Sequence, residues 1–263
     1  MKPVSITQGT SPIILGMPHV GTEIPDAVAA GLNAEGRKLR DTDWHVDRLY
    51  DGLLANATVV KANFHRYVID ANRDPAGVSL YPGQNTTGLV PQTDFDNQAI
   101  WKDLPDAGES ERRLAVYHAP YHAALEAEIG RVKALHGTAL VFDCHSIRSR
   151  CPFLFEGDLP VLSIGTNDGV TCAPKYQAVA EEIARGSGLS WVVNGRFKGG
   201  WTTRHYGKPP MRVHAIQMEI AQSAYLAAEE PPWTFDADKA APLRETLKRL
   251  LAGLEAAALG DRR

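Results

Sequence analysis

The chain has 263 residues, and its 28 lysines and arginines against 31 aspartates and glutamates leave a formal net charge of −3. This near-neutral balance argues against a nucleic-acid-binding protein, and 44% hydrophobic with 22% charged residues argues against a disordered chain. Three cysteines without CxxC spacing exclude the patterns of a secreted disulfide framework and of a thiolate zinc site. No apolar run has the length of a signal peptide or a membrane span, so we expect a cytoplasmic protein that binds no membrane.

Short apolar runs that predict strands alternate along the chain with amphipathic stretches that predict helices. The predicted strands cover residues 12–16, 57–62, 67–70, 139–143, 162–165, 191–193 and 215–220. The predicted helices cover residues 43–55, 121–135, 175–184 and 237–259. This alternation predicts a three-layer α/β/α fold around a mostly parallel, mixed central sheet, in a single domain over residues 1–263. Ligands bind beyond the carboxyl ends of such strands, so polar residues there are candidates for a functional site.

Two long segments, residues 77–109 and 194–212, follow neither pattern and are predicted to be ordered loops because they contain several tyrosines and tryptophans. The second segment carries a set of basic side chains: Arg196, Lys198, Arg204, Lys208 and Arg212. This local positive charge indicates either an anionic small-molecule substrate or a solvated surface loop.

Two clusters of polar residues contain histidine at the ends of predicted strands. His19 and Glu23 follow the first strand, and Asp143 and His145 close a later one. A histidine and a carboxylate at such a position can bind one metal ion, although a lone histidine there is also common as a hydrogen-bonded structural residue. Strand alternation places Cys144 on the opposite side from its neighbours, which favours a buried apolar role over that of a nucleophile.

A third cluster places Gln217 and Glu219 on the same side of an otherwise apolar strand. Glutamate is rarely buried without a partner, so Glu219 is predicted to bind a metal, to form an ion pair or to act as a general base. In the fourth cluster, Asn72 and Arg73 follow the predicted strand at residues 67–70. This pair can bind a carboxylate with bidentate geometry, or Arg73 can form a salt bridge with a nearby aspartate.

Common catalytic motifs are missing from the sequence. It contains no P-loop, no GxGxxG after a strand, no GxSxG elbow and no HExxH helix. The commonest nucleotide-binding, dinucleotide-binding, serine-hydrolase and zincin classes are therefore excluded.

Taken together, the polar clusters resemble those of the N-formylglutamate amidohydrolase family, whose relatives include zinc carboxypeptidases and aspartoacylases. The matching segments include PHVGTEIP, DTDWHVDRLYDGL, RYVIDANRDP, DCHSIRS, NGRFKGGWTTRHYG and HAIQMEIAQ, in order between residues 12 and 225. The resemblance implies a zinc-carboxypeptidase-like α/β/α fold. It also implies hydrolysis of the small molecule N-formyl-L-glutamate to formate and L-glutamate in histidine degradation.

The resemblance further implies a single zinc ion, or another divalent transition metal, held by His19, Glu23 and His145. Zinc carboxypeptidases space the first two ligands as HxxE, whereas this chain has HxxxE. Asp43 is therefore the reserve carboxylate ligand.

The same resemblance makes Glu219 the catalytic base and Arg66 the residue that stabilises the developing oxyanion. N-formylglutamate carries two carboxylates, which require at least two cationic contacts. Four residues are expected to bind these carboxylates: Asn72, Arg73, Arg204 and His205.

Two other functions stay open at this point, and so does the role of one histidine pair. A related zinc deacylase or carboxypeptidase would act on another N-acyl acidic amino acid, whereas a non-catalytic protein would bind such a ligand without turnover. His118 and His122, four residues apart, either line the site or pack within the fold, and Pro120 between them favours packing.

Overall fold

The computed structural model describes residues 1–260, which form a seven-stranded sheet. The strands are β1 (Val4–Thr7), β2 (Ile13–Met17), β3 (Thr58–Ala62), β4 (Ala139–Ile147), β5 (Leu162–Gly165), β6 (Trp191–Val193) and β7 (Val213–Ala221). Their order across the sheet is β1-β3-β2-β4-β7-β5-β6. β1 pairs with β3 and β5 with β7 in antiparallel fashion, and the other neighbours pair in parallel. The predicted mixed, mostly parallel sheet is confirmed.

Within the described residues, seven α-helices accompany the sheet. They are α1 (Asp26–Gly31), α2 (Val46–Tyr50), α3 (Ala107–Arg113), α4 (Ala119–His136), α5 (Pro174–Arg185), α6 (Trp201–Tyr206) and α7 (Ala237–Leu259). A π-helical turn over Leu114–His118 joins α3 to α4. Within residues 1–260, no helix has both the length and the apolar composition that crossing a membrane requires.

Helices cover both faces of the sheet. Between each face and its helices lies a hydrophobic core, and alternate side chains of the inner strands pack into these two cores. Ile13 of β2 belongs to a core that contains Leu247 of α7 and Tyr176 of α5. Its neighbour Ile14 belongs to a second core, which contains Leu125 of α4. The inner strands are thus apolar on both sides, which explains why they are continuous apolar runs in the sequence. The predicted three-layer arrangement is confirmed.

The prediction of a strand at residues 67–70 is wrong, because this segment forms a turn and does not pair with the sheet. Val68 N donates to the carbonyl oxygen of His65, and Asp70 N donates to that of Leu89. Its apolar side chains are nevertheless fully buried. A buried turn and a buried strand therefore share the same apolar composition here.

The helix predicted at residues 43–55 is much shorter in the structure, where α2 has only five residues. His45 precedes it with a left-handed φ of 59°, and the chain leaves the helix at Asp51, which is extended. Gly52 follows with a φ of 70°, a conformation that glycine adopts without steric cost. The shortening leaves Asp43 in a loop at the carboxyl end of β2.

Other differences concern elements that the sequence did not predict. β1, α1, α3 and α6 are additional. α3 begins within the segment expected to be a loop over residues 77–109, and α6 lies within the one expected over residues 194–212. β4 continues to Ile147, so His145 lies within the strand instead of after its end. The predicted closing helix over residues 237–259 is confirmed at both ends.

Candidate metal and catalytic site

Three buried side chains from separate parts of the chain meet at the carboxyl end of the parallel strands. His19 follows β2, Asp43 lies before α2, and His145 belongs to the last part of β4. One potential ligand atom from each residue lies within 4.8 Å of those from the other two. The exposed fractions of the residues are only 2%, 1% and 2%. Two imidazoles and one carboxylate form a donor set that suits a transition metal. We call these three residues the candidate metal group.

Each of the two histidines is oriented by a second carboxylate behind it. Asp70 Oδ1 lies 2.7 Å from Nε2 of His19, and Asp143 Oδ1 lies 3.0 Å from Nε2 of His145. In a neutral imidazole, a proton on Nε2 satisfies these contacts and leaves the Nδ1 lone pair available to a metal. Nδ1 of His145 is 3.1 Å from Asp43 Oδ2, and Nδ1 of His19, which lies 3.7 Å from the same oxygen, has no hydrogen-bond partner among residues 1–260. Both Nδ1 atoms therefore lie near Asp43 Oδ2.

The carboxylates favour a positive charge on His145, whereas burial and Arg66 lower the pKa of His19. Burial lowers the pKa of His145, but Asp143 and Asp43 outweigh this effect and raise that pKa well above its usual range. Burial raises the pKa of Asp70, but Arg66 and Arg73 bring it well below its usual range. The position between the histidines therefore suits a cation.

Glu23, an expected metal ligand, is not part of this group. Its backbone runs beside the chain that follows β3: Glu23 N donates to Asn63 O, and Glu23 O accepts from His65 N. The Glu23 side chain is exposed. The structure thus corrects this expectation, and it is the reserve residue, Asp43, that lies beside the histidines.

Glu219 lies beside the three-residue group and lines the same cavity. It occupies β7 directly opposite His145 of β4 in the strand register, and Gln217 Nε2 donates to its Oε2 at 2.9 Å. Burial raises the pKa of Glu219 to about 7. A carboxyl group with a pKa near neutrality can both accept and release a proton, which is what a general base and acid requires.

Arg66 lines the cavity and is buried. Its Nη2 donates to Asp70 Oδ2 at 2.5 Å, and its Nη1 lies 4.0 Å from Asp43 Oδ1. The guanidinium group also lies 4.8 Å from the centre of the Phe95 ring. These contacts fix a positive charge next to the candidate metal group.

Asn72 connects the candidate metal group to the basic segment at residues 194–212. Its Nδ2 lies 3.1 Å from Nε2 of His145, and its Oδ1 accepts a hydrogen bond from Thr202 N. Gly200 N donates to Gln217 Oε1 at 2.6 Å. A Cβ atom on Gly200 would lie 2.3 Å from Asn72 Nδ2, so this close approach requires glycine.

Arg73 also lines the cavity, but loop residues hold its guanidinium group. Nε donates to Thr87 O, Nη2 donates to Thr87 Oγ1, and Nη1 donates to Asn72 O. Nη1 lies 3.8 Å from Asp70 Oδ2. The salt bridge and the cavity position expected as alternatives are therefore both present.

Arg204 and His205, expected to bind substrate, do not line the cavity. Arg204 Nε donates to Gly199 O, and its guanidinium group lies 4.8 Å from the Tyr81 ring. His205 is exposed and stacks on Trp201 with 4.1 Å between ring centres. Both residues lie on the outer face of α6, a helix that the sequence did not predict. The structure corrects this part of the predicted site.

Arg196 is the cavity-lining cation that sequence reasoning missed. The basic composition of residues 194–212 was the available signal, but composition does not reveal which of five basic side chains faces inward. Asp143 was noted in the sequence as a carboxylate beside a candidate metal-binding histidine, and in the structure it contacts Nε2 of His145. Gln217 was noticed but given no role, and it contacts Glu219.

His118 and His122 pack behind Asn72 instead of lining the cavity. His122 Nε2 lies 2.7 Å from Ala71 O, and His118 Nε2 lies 3.0 Å from Arg73 O. The two rings are 4.4 Å apart between centres. The histidine pair therefore holds the backbone on both sides of Asn72.

The stability of the protein should depend on pH through His122. Burial lowers its pKa from 6.5 to about 3, so between these values the unfolded chain binds a proton that the folded chain does not. Stability therefore rises with pH in this window and is lost on acidification. In His122→Gln, whose amide can still reach Ala71 O, we expect the loss of unfolding free energy between pH 7 and pH 4.5 to be about 2 kcal/mol smaller. Urea unfolding at both pH values measures this, and equal losses in the two proteins would contradict it.

The chain belongs to the N-formylglutamate amidohydrolase family, whose family model matches residues 11–226. Two curated relatives, from Pseudomonas aeruginosa and Pseudomonas putida, are named N-formylglutamate deformylase, and each is 44% identical to this chain. The first alignment covers 95% of both chains and the second covers 96% of both. The crystal structure of N-formylglutamate amidohydrolase from Ralstonia eutropha JMP134 is similar, with a TM-score of 0.79 and 26% identity, over 96% of this chain and 97% of that one. The family expected from the motifs is confirmed.

Proposed function

We propose that this protein is a metal-dependent amidohydrolase that converts N-formyl-L-glutamate and water to formate and L-glutamate. The observation that carries the proposal is the buried group of His19, Asp43 and His145 beside Glu219 in one cavity. The names of the two relatives at 44% identity support the substrate. We place the reaction in histidine degradation, as the family resemblance implies.

A single divalent ion, zinc in the first instance, is assigned to His19, Asp43 and His145. The fit is supported by the free Nδ1 of His19 and by the carboxylates behind both histidines. Catalytic zinc sites use three such protein ligands and keep one position open. When bound, the metal lowers the pKa of a water molecule and polarises the formyl oxygen.

Glu219 is the proposed general base and acid. Because Gln217 holds Oε2, the other carboxylate oxygen is free to accept a proton from the attacking water. The oxygen of that water forms a bond to the formyl carbon, and the carbon–nitrogen bond then breaks. Glu219 passes its proton to the leaving nitrogen, so the carboxylate is regenerated at the end of the cycle.

Three further residues complete the proposed mechanism: Arg66, Asn72 and Arg73. The formyl oxygen gains negative charge as water attacks, and the buried guanidinium group of Arg66 is placed to stabilise it. Asn72 and Arg73 bind one carboxylate of the substrate and thereby orient the amide towards Glu219. Hydrogen bonds hold both arginines in position, Arg66 to Asp70 and Arg73 to Thr87 O.

Formate release from N-formyl-L-glutamate by the purified protein tests the proposal, with formate measured by a coupled dehydrogenase assay. We expect dialysis against a chelator to lower the rate by about 100-fold or more, because metal polarisation and water activation are lost together, and added zinc to restore it. Faster turnover of N-acetyl-L-glutamate would instead assign a related deacylase, and binding without turnover would assign a binding protein. Full activity in metal-free protein would overturn the metal-dependent mechanism.

A further inference from the structure

Three guanidinium groups line the cavity, and they differ in how their charges are neutralised. Arg66 and Arg73 both lie within 4.0 Å of Asp70, at 2.5 Å and 3.8 Å. For Arg196, the described part of the chain provides no carboxylate within 4.0 Å. Arg196 is therefore a cavity-lining cation that forms no ion pair with a carboxylate among residues 1–260.

The backbone holds Arg196 in a fixed position. Its Nε donates to Leu154 O at 2.9 Å and its Nη2 donates to Asn85 O at 2.7 Å. The guanidinium group lies 5.4 Å from the ring centres of both Tyr81 and Phe197. Neutral carbonyl oxygens and aromatic rings orient the group but leave its positive charge uncompensated. A group held in this way loses little conformational entropy when it binds an anion.

We propose that Arg196 binds the side-chain carboxylate of the substrate and thereby selects acidic N-formyl amino acids over neutral ones. This inference rests on the proposed function. In that function, Asn72 and Arg73 bind one carboxylate of N-formyl-L-glutamate, so the second carboxylate needs another cation. Arg204, the residue expected from the sequence, contacts the outer side of Tyr81 and does not line the cavity.

Arg204 provides a matched control for Arg196. Both residues lie in the same segment, donate to backbone carbonyl oxygens and contact the ring of Tyr81. They differ in that Arg196 lines the cavity with Glu219, whereas Arg204 does not. Because each substitution removes a guanidinium group that binds loop carbonyl oxygens and the Tyr81 ring, we expect a difference in substrate preference between the two variants to report on the cavity.

The test compares kcat/KM for N-formyl-L-glutamate and N-formyl-L-glutamine, whose side chains differ in charge but hardly in shape. In Arg196→Gln of the metal-loaded enzyme, we expect the preference for the acidic substrate to fall on the order of 50-fold, mainly through KM, because a charged hydrogen-bonded contact is lost. Arg196→Lys should restore part of the preference, and Arg204→Gln should keep it. An unchanged preference in Arg196→Gln, or an equal loss for both substrates, would overturn the proposal.

Calorimetric binding of the same two compounds separates this inference from the proposed function. If the wild-type protein hydrolyses neither compound, the proposed function fails. Tighter binding of N-formyl-L-glutamate that disappears in Arg196→Gln would still support the assignment of Arg196. Equal affinities for the two compounds in the wild-type protein would refute that assignment, whatever the rates.

Discussion

Replacing Glu219 with glutamine is expected to lower kcat for N-formyl-L-glutamate by about 10³-fold, with KM changed only a few-fold. Glutamine has nearly the shape of glutamate but cannot accept the proton of the attacking water. Initial rates of formate release over a range of substrate concentrations measure both constants. Metal content, measured by mass spectrometry, should equal that of the wild-type protein.

The metal measurement distinguishes the base from the other roles that the sequence leaves open for Glu219. Loss of both metal and activity in Glu219→Gln would make the residue a ligand instead of a base. Undiminished turnover would remove it from the mechanism altogether. Because the side chain is buried, thermal unfolding of the variant is compared with that of the wild type, and Glu219→Asp provides a second variant that keeps the charge.

Replacing Asp43 with asparagine is expected to reduce metal affinity by about 100-fold or more and to reduce activity in parallel. The substitution removes the negative charge near both histidines but keeps an oxygen that can accept the hydrogen bond from Ser146 N. Metal titration of the apoprotein followed by formate assays measures both effects. Excess zinc should partly restore the rate.

Glu23→Gln is the matched control for this experiment, because Glu23 is exposed and lies outside the candidate metal group. We expect its metal affinity and activity to equal those of the wild type. The opposite pattern, with metal lost in Glu23→Gln and kept in Asp43→Asn, would make Glu23 the ligand. The contacts of Asp43 would then be only a hydrogen-bond network.

Most of the sheet could be predicted from the sequence, because inner strands with two buried faces are continuous apolar runs. Ile13 and Ile14 pack into different cores, so β2 is apolar on both faces and is a continuous apolar run in the sequence. The same rule failed at residues 67–70, where a buried turn is equally apolar. Composition alone does not show whether backbone groups pair with a neighbouring strand or, as for Asp70 N, with a loop carbonyl oxygen.

The candidate site was predictable where a residue lies on or directly after a strand. The structure brings His19, His145 and Glu219 together, and their strand positions in the sequence indicated this. The carboxylate beside them could not be chosen from spacing, since Glu23 is nearer in sequence but its backbone pairing leaves its side chain exposed. Likewise, the basic segment was evident, but the position of each basic residue within it was not: Arg204 lies on the unpredicted helix α6 and outside the cavity, whereas Arg196 precedes that helix and lines the cavity. The roles of these residues stay predictions.

The carboxylates behind the histidines have a consequence for the formal charge of the whole buried site. Asp43, Asp70, Asp143 and Glu219 contribute four formal negative charges, whereas Arg66, Arg73 and Arg196 contribute three positive ones. Without a metal, a proton on His145 balances the remaining negative charge, because Asp143 and Asp43 raise the pKa of that ring well above its usual range. An unbalanced charge in a place with little access to water would be unfavourable for folding. One divalent ion, as proposed, would take the place of that proton. The ion that takes part in the reaction would then also be a structural component of the folded enzyme.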